Sequence, residues 1–228
     1  MRKVSEKSLE LNVNENLVNH VRKRYPKAFI YGFTVRGEGL HGLDSSIEVA
    51  PGTKFYFGLQ FKKPQRKSGK KYIFMINNNR RRDQHAKLVL TALLLGPNRI
   101  FYAFPLYLTV NELYQDSPNF LSKTRLVDVL SIKNIDNNSH YVHIEHGTLE
   151  IEIRSQSLKI PSLPGEKFLE IIDKITPLDT QEIRRKIQKI TIDDIRRLCK
   201  QHGIDFNALL RVLGNRRWIS IIRSGYFV

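Results

Sequence analysis

Residues 54–62 read Lys-Phe-Tyr-Phe-Gly-Leu-Gln-Phe-Lys. Their apolar members recur with period two, and in a strand successive side chains face opposite ways. Phe55, Phe57, Leu59 and Phe61 therefore form one buried face, and the fold must contain a sheet covered on that side. Tyr56, Gly58, Gln60 and Lys62 form the other. A polar pair projecting from so apolar a strand needs a reason. Pro51 and Gly52 mark a turn back to a short strand over residues 45–49, which Asp44 opens. Antiparallel pairing of the two would bring an acid, an amide oxygen and an ammonium to one end of the sheet.

The rest of the chain is arranged around this hairpin. Residues 1–13 are polar and read as loose. From Asn14, a plausible cap, Leu17, Val18, Val21 and Tyr25 give one apolar helical face that Pro26 stops. Residues 28–35 are β-branched and aromatic, so a strand. Gly37, Gly39 and Gly42 then make a loop able to approach a ligand closely. Residues 64–71 read as a basic loop, 72–76 as a strand and 77–82 as a polar turn. A helix over 83–95 turns Ala86, Val89, Leu90, Leu93 and Leu94 inward, with Gln84, Lys87 and Thr91 along another edge. Gly96-Pro97 ends it and a strand over 99–104 follows, so this passage is a crossover beside the hairpin. Further on come a short helix capped by Thr109 and strands over 126–132, 141–144 and 149–153. Pro161 and Pro164 flank a linker. Beyond it helices start near Glu166, Asp179, Thr191 and Asp205, with a capping box at Thr191 and Asp194. The expected organisation is an α/β domain over 1–160 and a helical C-terminal lobe over 161–228.

Charge narrows the partners. Thirty-eight Lys and Arg against twenty-two Asp and Glu leave +16, a field that attracts polyanions, nucleic acid foremost. Lys62, Lys63, Arg66, Lys67, Lys70 and Lys71, then Arg80, Arg81 and Arg82, form two clusters expected on one rim of the sheet. Such a rim would follow a phosphate backbone. The single Cys199 excludes a disulfide framework and a cysteine-rich zinc site. No run of about 18 apolar residues predicts a membrane span. The opening residues lack the apolar segment of a secretion signal, so a cytoplasmic location is expected.

Asp44, then Gln60-Phe61-Lys62, with a helix before and a crossover helix after, resembles the PD-(D/E)xK nuclease superfamily over residues 14–105. The resemblance implies a restriction-endonuclease-like α/β (α+β) fold, a small mixed sheet flanked by helices. It implies metal-dependent hydrolysis of nucleic acid, DNA favoured. Asp44 matches the first acid, and Gln60 stands where the second is usually found. Mg2+ (or Mn2+) would be held by Asp44, Gln60 and the Phe61 backbone carbonyl, with Glu15 or Glu38 as the extra acid. Lys62 would orient the attacking water. Gln84 and Lys87 look like the helical motif of the branch related to RecB nucleases. A homodimer is one arrangement that the resemblance suggests. An amide ligates a hard cation without neutralising it, so the alternative is an inactive nucleic-acid-binding protein on the same fold.

His140, His143 and His146 alternate faces in a strand and read as structural. His41, inside the glycine loop, reads as a loop residue. The helices meeting at residues 201–203 have the length of a helix-turn-helix, and read as a packing or dimerising lobe.

Overall fold

The computed structural model describes residues 2–32, 45–76, 83–133, 136 and 138–214. Helix α1 (Glu6–Arg22) begins well before Asn14. Ser5 caps it by accepting the Ser8 N–H at 3.0 Å. Leu9 and Val13, four apart, carry the buried stripe of Leu17 and Val21 toward the N-terminus. Polar neighbours had hidden that stripe, and Asn14 lies buried inside the helix.

Strands β1 (Phe29–Gly32), β2 (Ser45–Ala50) and β3 (Thr53–Phe61) form an antiparallel meander. Gly52 supplies the positive φ of 74° in the β2–β3 turn. Residues 64–71, expected as a loop, instead contain β4 (Arg66–Ser68), which pairs antiparallel with β5 (Lys71–Ile76). All three β4 residues are exposed, so no apolar alternation announces the strand. Cationic side chains on an edge strand also discourage pairing with another chain.

Helix α2 (Gln84–Leu95) follows, then β6 (Ile100–Pro105), which runs parallel to β3 with Gln60 opposite Tyr102. A crossover beside the hairpin is thus present, but it leads from β3 to β6; β5, the strand before the helix, belongs to a second sheet instead. Helix α3 (Val110–Gln115) carries the Thr109–Glu112 capping box. Strand β7 (Thr124–Asp128) is shorter than expected, because the Asp128 carboxylate accepts the Leu130 N–H and turns the chain into a 3-10 turn at Val129–Ser131. Strands β8 (His140–Glu145) and β9 (Glu150–Ile153) form a hairpin.

The proline linker is not a free segment. Its residues make β10 (Leu158–Pro161), paired with β9, and β11 (Leu163–Pro164), paired with β7. Helices α4 (Gly165–Lys174), α5 (Thr180–Gln188), α6 (Ile192–His202) and α7 (Phe206–Leu213) start where expected. Asp179, Thr191 and Asp205 cap the last three. Strand β12 (Leu178–Asp179) pairs with the start of β3.

Among the described residues the main sheet has the order β1-β2-β3-β6-β7-β11, and a second sheet runs β10-β9-β8-β5-β4. The main sheet has a core on each side. One face, with Phe57, Leu59, Phe61 and Phe101, packs on α1 and α4. The other, with Ile100, Tyr102 and Phe104, packs on α2. Helix α2 is apolar nearly all round, as a helix buried on every side must be. The inner face of the second sheet and α5, α6 and α7 join the same core. The result is a mixed α/β structure. Among the described residues no helix is long and apolar enough to cross a membrane.

Candidate functional site

The alternation along β3 places the site. Phe57, Leu59 and Phe61 are buried toward α1 and α4; the Phe55 side chain lies outside the described ones. Gln60 and Lys62 therefore point to the opposite face, where the N-terminus of α2 meets them. Gln60 is 2% exposed, so its amide must find partners inside the protein.

It finds them in a continuous relay. Lys62 Nζ donates to Gln84 Oε1 at 2.6 Å. Gln84 Nε2 donates to Gln60 Oε1 at 2.7 Å. Gln60 Nε2 donates to the Phe61 carbonyl at 3.1 Å. Three residues singled out in the sequence thus form one hydrogen-bonded unit, although Gln84 lies on a separate element. Beside it, Asp83 is 2% exposed and pairs with Lys87 Nζ at 2.7 Å. An acid before the first turn also complements the helix dipole.

A second contact holds α2 at this place. Tyr102 is the neighbour of Gln60 across the parallel pair, and its hydroxyl lies 3.2 Å from His85 Nδ1. His85 Nε2 lies 3.1 Å from the Ile132 carbonyl. A carbonyl only accepts, so Nε2 carries the proton and Nδ1 accepts from Tyr102. Consecutive residues of α2, Gln84 and His85, are thus held by laterally paired residues of β3 and β6. Burial pushes the His85 pKa down to about 4, with the Ile132 bond opposing.

Asp44, Glu38, His41, Arg80, Arg81 and Arg82 lie outside the described residues. Ser45, which follows Asp44 in the chain, pairs with Leu59, the neighbour of Gln60. Glu15 is exposed on α1, whose buried side covers the face of β3 opposite Gln60. The structure does not bring it to the relay, because β3 alternates and the leading helix packs on its apolar side. The α1 carboxylate that reaches the end of β3 is Glu6, which accepts the Lys63 N–H at 3.1 Å. No pattern in the sequence marks Glu6, since residues 1–13 read as loose.

Lys63, Arg66, Lys67, Lys70 and Lys71 are exposed. Lys67 lies 4.7 Å from the centre of the Tyr72 ring and 3.5 Å from the Glu112 carboxylate. With Lys70, Lys123, His146 and Tyr72 it lines an open cleft of about 440 Å³. Lys123 and His146 come from distant segments, and no local pattern connects them with the 62–71 cluster.

His140 is buried between Ser155 Oγ at 2.5 Å and Asp136 Oδ1 at 2.7 Å. His143 lies beside Arg154, 3.5 Å from its Nε. Among the described residues no three His, Cys, Asp or Glu side chains are grouped to hold a metal.

The chemistry of the donors near Gln60 can still be matched to a hard cation. The Gln60 side-chain oxygen and the Phe61 carbonyl are the oxygen type that Mg2+ takes. Both are neutral, so the charge to hold a cation must come from carboxylates such as Asp44. No protein-family model, curated protein or solved structure matches this chain.

Proposed function

We propose that this protein is a metal-dependent nuclease of the PD-(D/E)xK type, hydrolysing phosphodiester bonds of nucleic acid, DNA favoured. The observation that carries the reading is the relay from Lys62 through Gln84 to Gln60. It gathers three polar side chains at the end of a strand that runs parallel to its neighbour through a helical crossover. The succession α1, β1, β2, β3, α2, β6 agrees with the restriction-endonuclease-like fold suggested for residues 14–105. In an open sheet with parallel strands, ligands gather beyond the strand ends.

On this reading Asp44, Gln60 and the Phe61 carbonyl hold the cation, Mg2+ or Mn2+, with Glu38 as the supporting acid. When bound, such an ion activates water and neutralises developing charge on the phosphate. Lys62 orients the attacking water, and its charge favours the transition state over the ground state. Lys63, Arg66, Lys67, Lys70, Lys71, Arg80, Arg81 and Arg82 hold the phosphate backbone, with Gln84 and Lys87 beside the strand end.

The test is cleavage of single-stranded, duplex and branched DNA and of RNA, with Mg2+ or Mn2+. Asp44→Ala and Lys62→Ala are each expected to lower the rate at least ~100-fold, the scale of a removed transition-state contact. Activity that survives both substitutions together ends the nuclease reading.

One observation favours a second reading, nucleic-acid binding without cleavage. Gln60 offers its N–H, not its oxygen, to the Phe61 carbonyl. A pure binder would retain DNA with steep salt dependence, need no metal and yield no product.

A further inference from the structure

We infer that the cleft between Lys67 and Lys123 holds one unpaired nucleotide, so that the ligand class is single-stranded nucleic acid. The inference rests on the nucleic-acid reading above and names what the cationic rim grips.

The cleft lies where a ligand of this sheet is expected. Leu106, which lines it, directly follows β6, the parallel neighbour of β3. Ligands of such sheets gather beyond the carboxyl ends of the strands. Leu106 and Tyr72 belong to the core on the α2 side, the side to which Gln60 and Lys62 turn. The cleft is thus a neighbour of the strand end that carries the relay.

Its cations are set in place beforehand. Glu112 on α3 and Asp116 at the cap that ends this helix lie one turn apart. Glu112 Oε2 accepts the Leu108 and Thr109 N–H groups at 2.6 and 3.2 Å, and Oε1 faces Lys67 Nζ at 3.5 Å. Lys123 Nζ lies 2.6 Å from Asp116 Oδ2. An ammonium has three donors, so a carboxylate that takes one of them aims the lysine without using it up. The Tyr72 ring steadies Lys67 further. Lys70 and His146 come from two different turns, yet the His146 N–H donates to the Lys70 carbonyl at 3.0 Å. Cations held in this way lose little freedom on binding. Lys67, Lys70 and Lys123 against two carboxylates leave the cleft positive.

Size selects the ligand. About 440 Å³ falls within the roughly 300–1,000 Å³ of small-ligand sites. That admits one nucleotide and shuts out a base-paired stack. The lysines suit its phosphate. The exposed His146 ring offers a stacking face for a base, and Gln115 a partner for its edge.

The experiment is fluorescence anisotropy of the full-length protein with a short labelled oligothymidylate and with a labelled duplex of equal length. It is run in EDTA, so that nothing is cut, over about 50–200 mM salt. Lys123→Met and Lys70→Met should each weaken strand binding about tenfold, the order of one charged hydrogen bond. Each should also flatten the plot of log K against log salt by about 0.7, the step for one phosphate of a single strand. Duplex affinity should fall less than strand affinity in both variants. Lys123→Arg keeps the charge and should keep the slope. Lys70 is exposed on its turn, so Lys70→Met covers the case in which Lys123→Met fails to fold. Lys189→Met removes the same charge at the cap of α5, which follows β12 at the opposite end of β3; it should leave the slope unchanged.

Losses no greater than that of Lys189→Met, or equal losses on strand and duplex, overturn the inference while the nuclease reading stands. Thymidine monophosphate that displaces the strand at equal concentration would make the cleft a mononucleotide site, and also overturns it. If the unaltered protein holds neither strand nor duplex, the nuclease reading falls and the inference with it.

Discussion

His85 is fully buried on α2, with both ring nitrogens engaged and its pKa pushed down to about 4. In an unfolded chain the same ring titrates near ~6.5. The folded state thus favours the neutral ring. The stability this contributes is complete above pH ~6.5 and falls as pH drops from ~6.5 toward ~4, because the unfolded state takes up the proton first. The loss has an upper scale of roughly 3 kcal/mol. Urea midpoints of the unaltered protein should fall over that window. His85→Phe, which keeps the ring volume and removes the titration, should flatten this part of the profile. Equal slopes for the two proteins would show that His85 does not set the acid sensitivity. Its position matters to the site because it anchors α2 one residue from Gln84.

At the scale of elements, Gly165 opens α4 where the helix meets the turn before β7. A Cβ at this position would stand 2.6 Å from the Leu121 carbonyl oxygen and 3.1 Å from its side chain. Neither backbone can easily retreat, since α4 is packed into the core through Phe168 and Ile172. Gly165→Ala should cost about 1–3 kcal/mol, the scale of an overpacked core, read as a lowered denaturation midpoint. An unchanged midpoint would mean that the two segments separate freely. The same scale shows what the sequence could and could not disclose. Strand β3 was legible because alternation is a side-chain property, and α5, α6 and α7 because their caps are local. Strand β4 was not, since three exposed polar residues, two of them cationic, carry no periodicity and only pairing with β5 makes them a strand. Strands β10 and β11 were hidden by prolines that read as a linker, and the start of α1 by polar residues around Leu9 and Val13. At the site, the polar pair on β3 was legible. The link between Gln60 and Gln84 was not, because it spans elements whose meeting is decided by packing.

On the scale of the molecule, helices α5, α6 and α7 share their core with α2. Ile183, Ile187, Ile195, Cys199, Leu209 and Leu213 are buried in the cluster that contains Leu88, Leu90 and Tyr102. A chain ending at residue 160 would expose this surface and leave β7 without β11. It is expected to lack a cooperative thermal transition by circular dichroism, whereas the full chain should melt in one step. A well-folded 1–160 fragment would refute this.

Strand β12 adds a constraint of timing. It lies against Thr53 and Lys54, so the first residues of β3 acquire this partner only once Leu178 and Asp179 have been synthesised. At ~5–20 residues per second, the strand bearing Gln60 waits roughly 6–24 s on the ribosome for its last neighbour. During that interval a strongly cationic nascent chain sits beside messenger and ribosomal RNA with its sheet unfinished. The pairing that finishes the near end of β3 is one that a growing polypeptide does not yet possess.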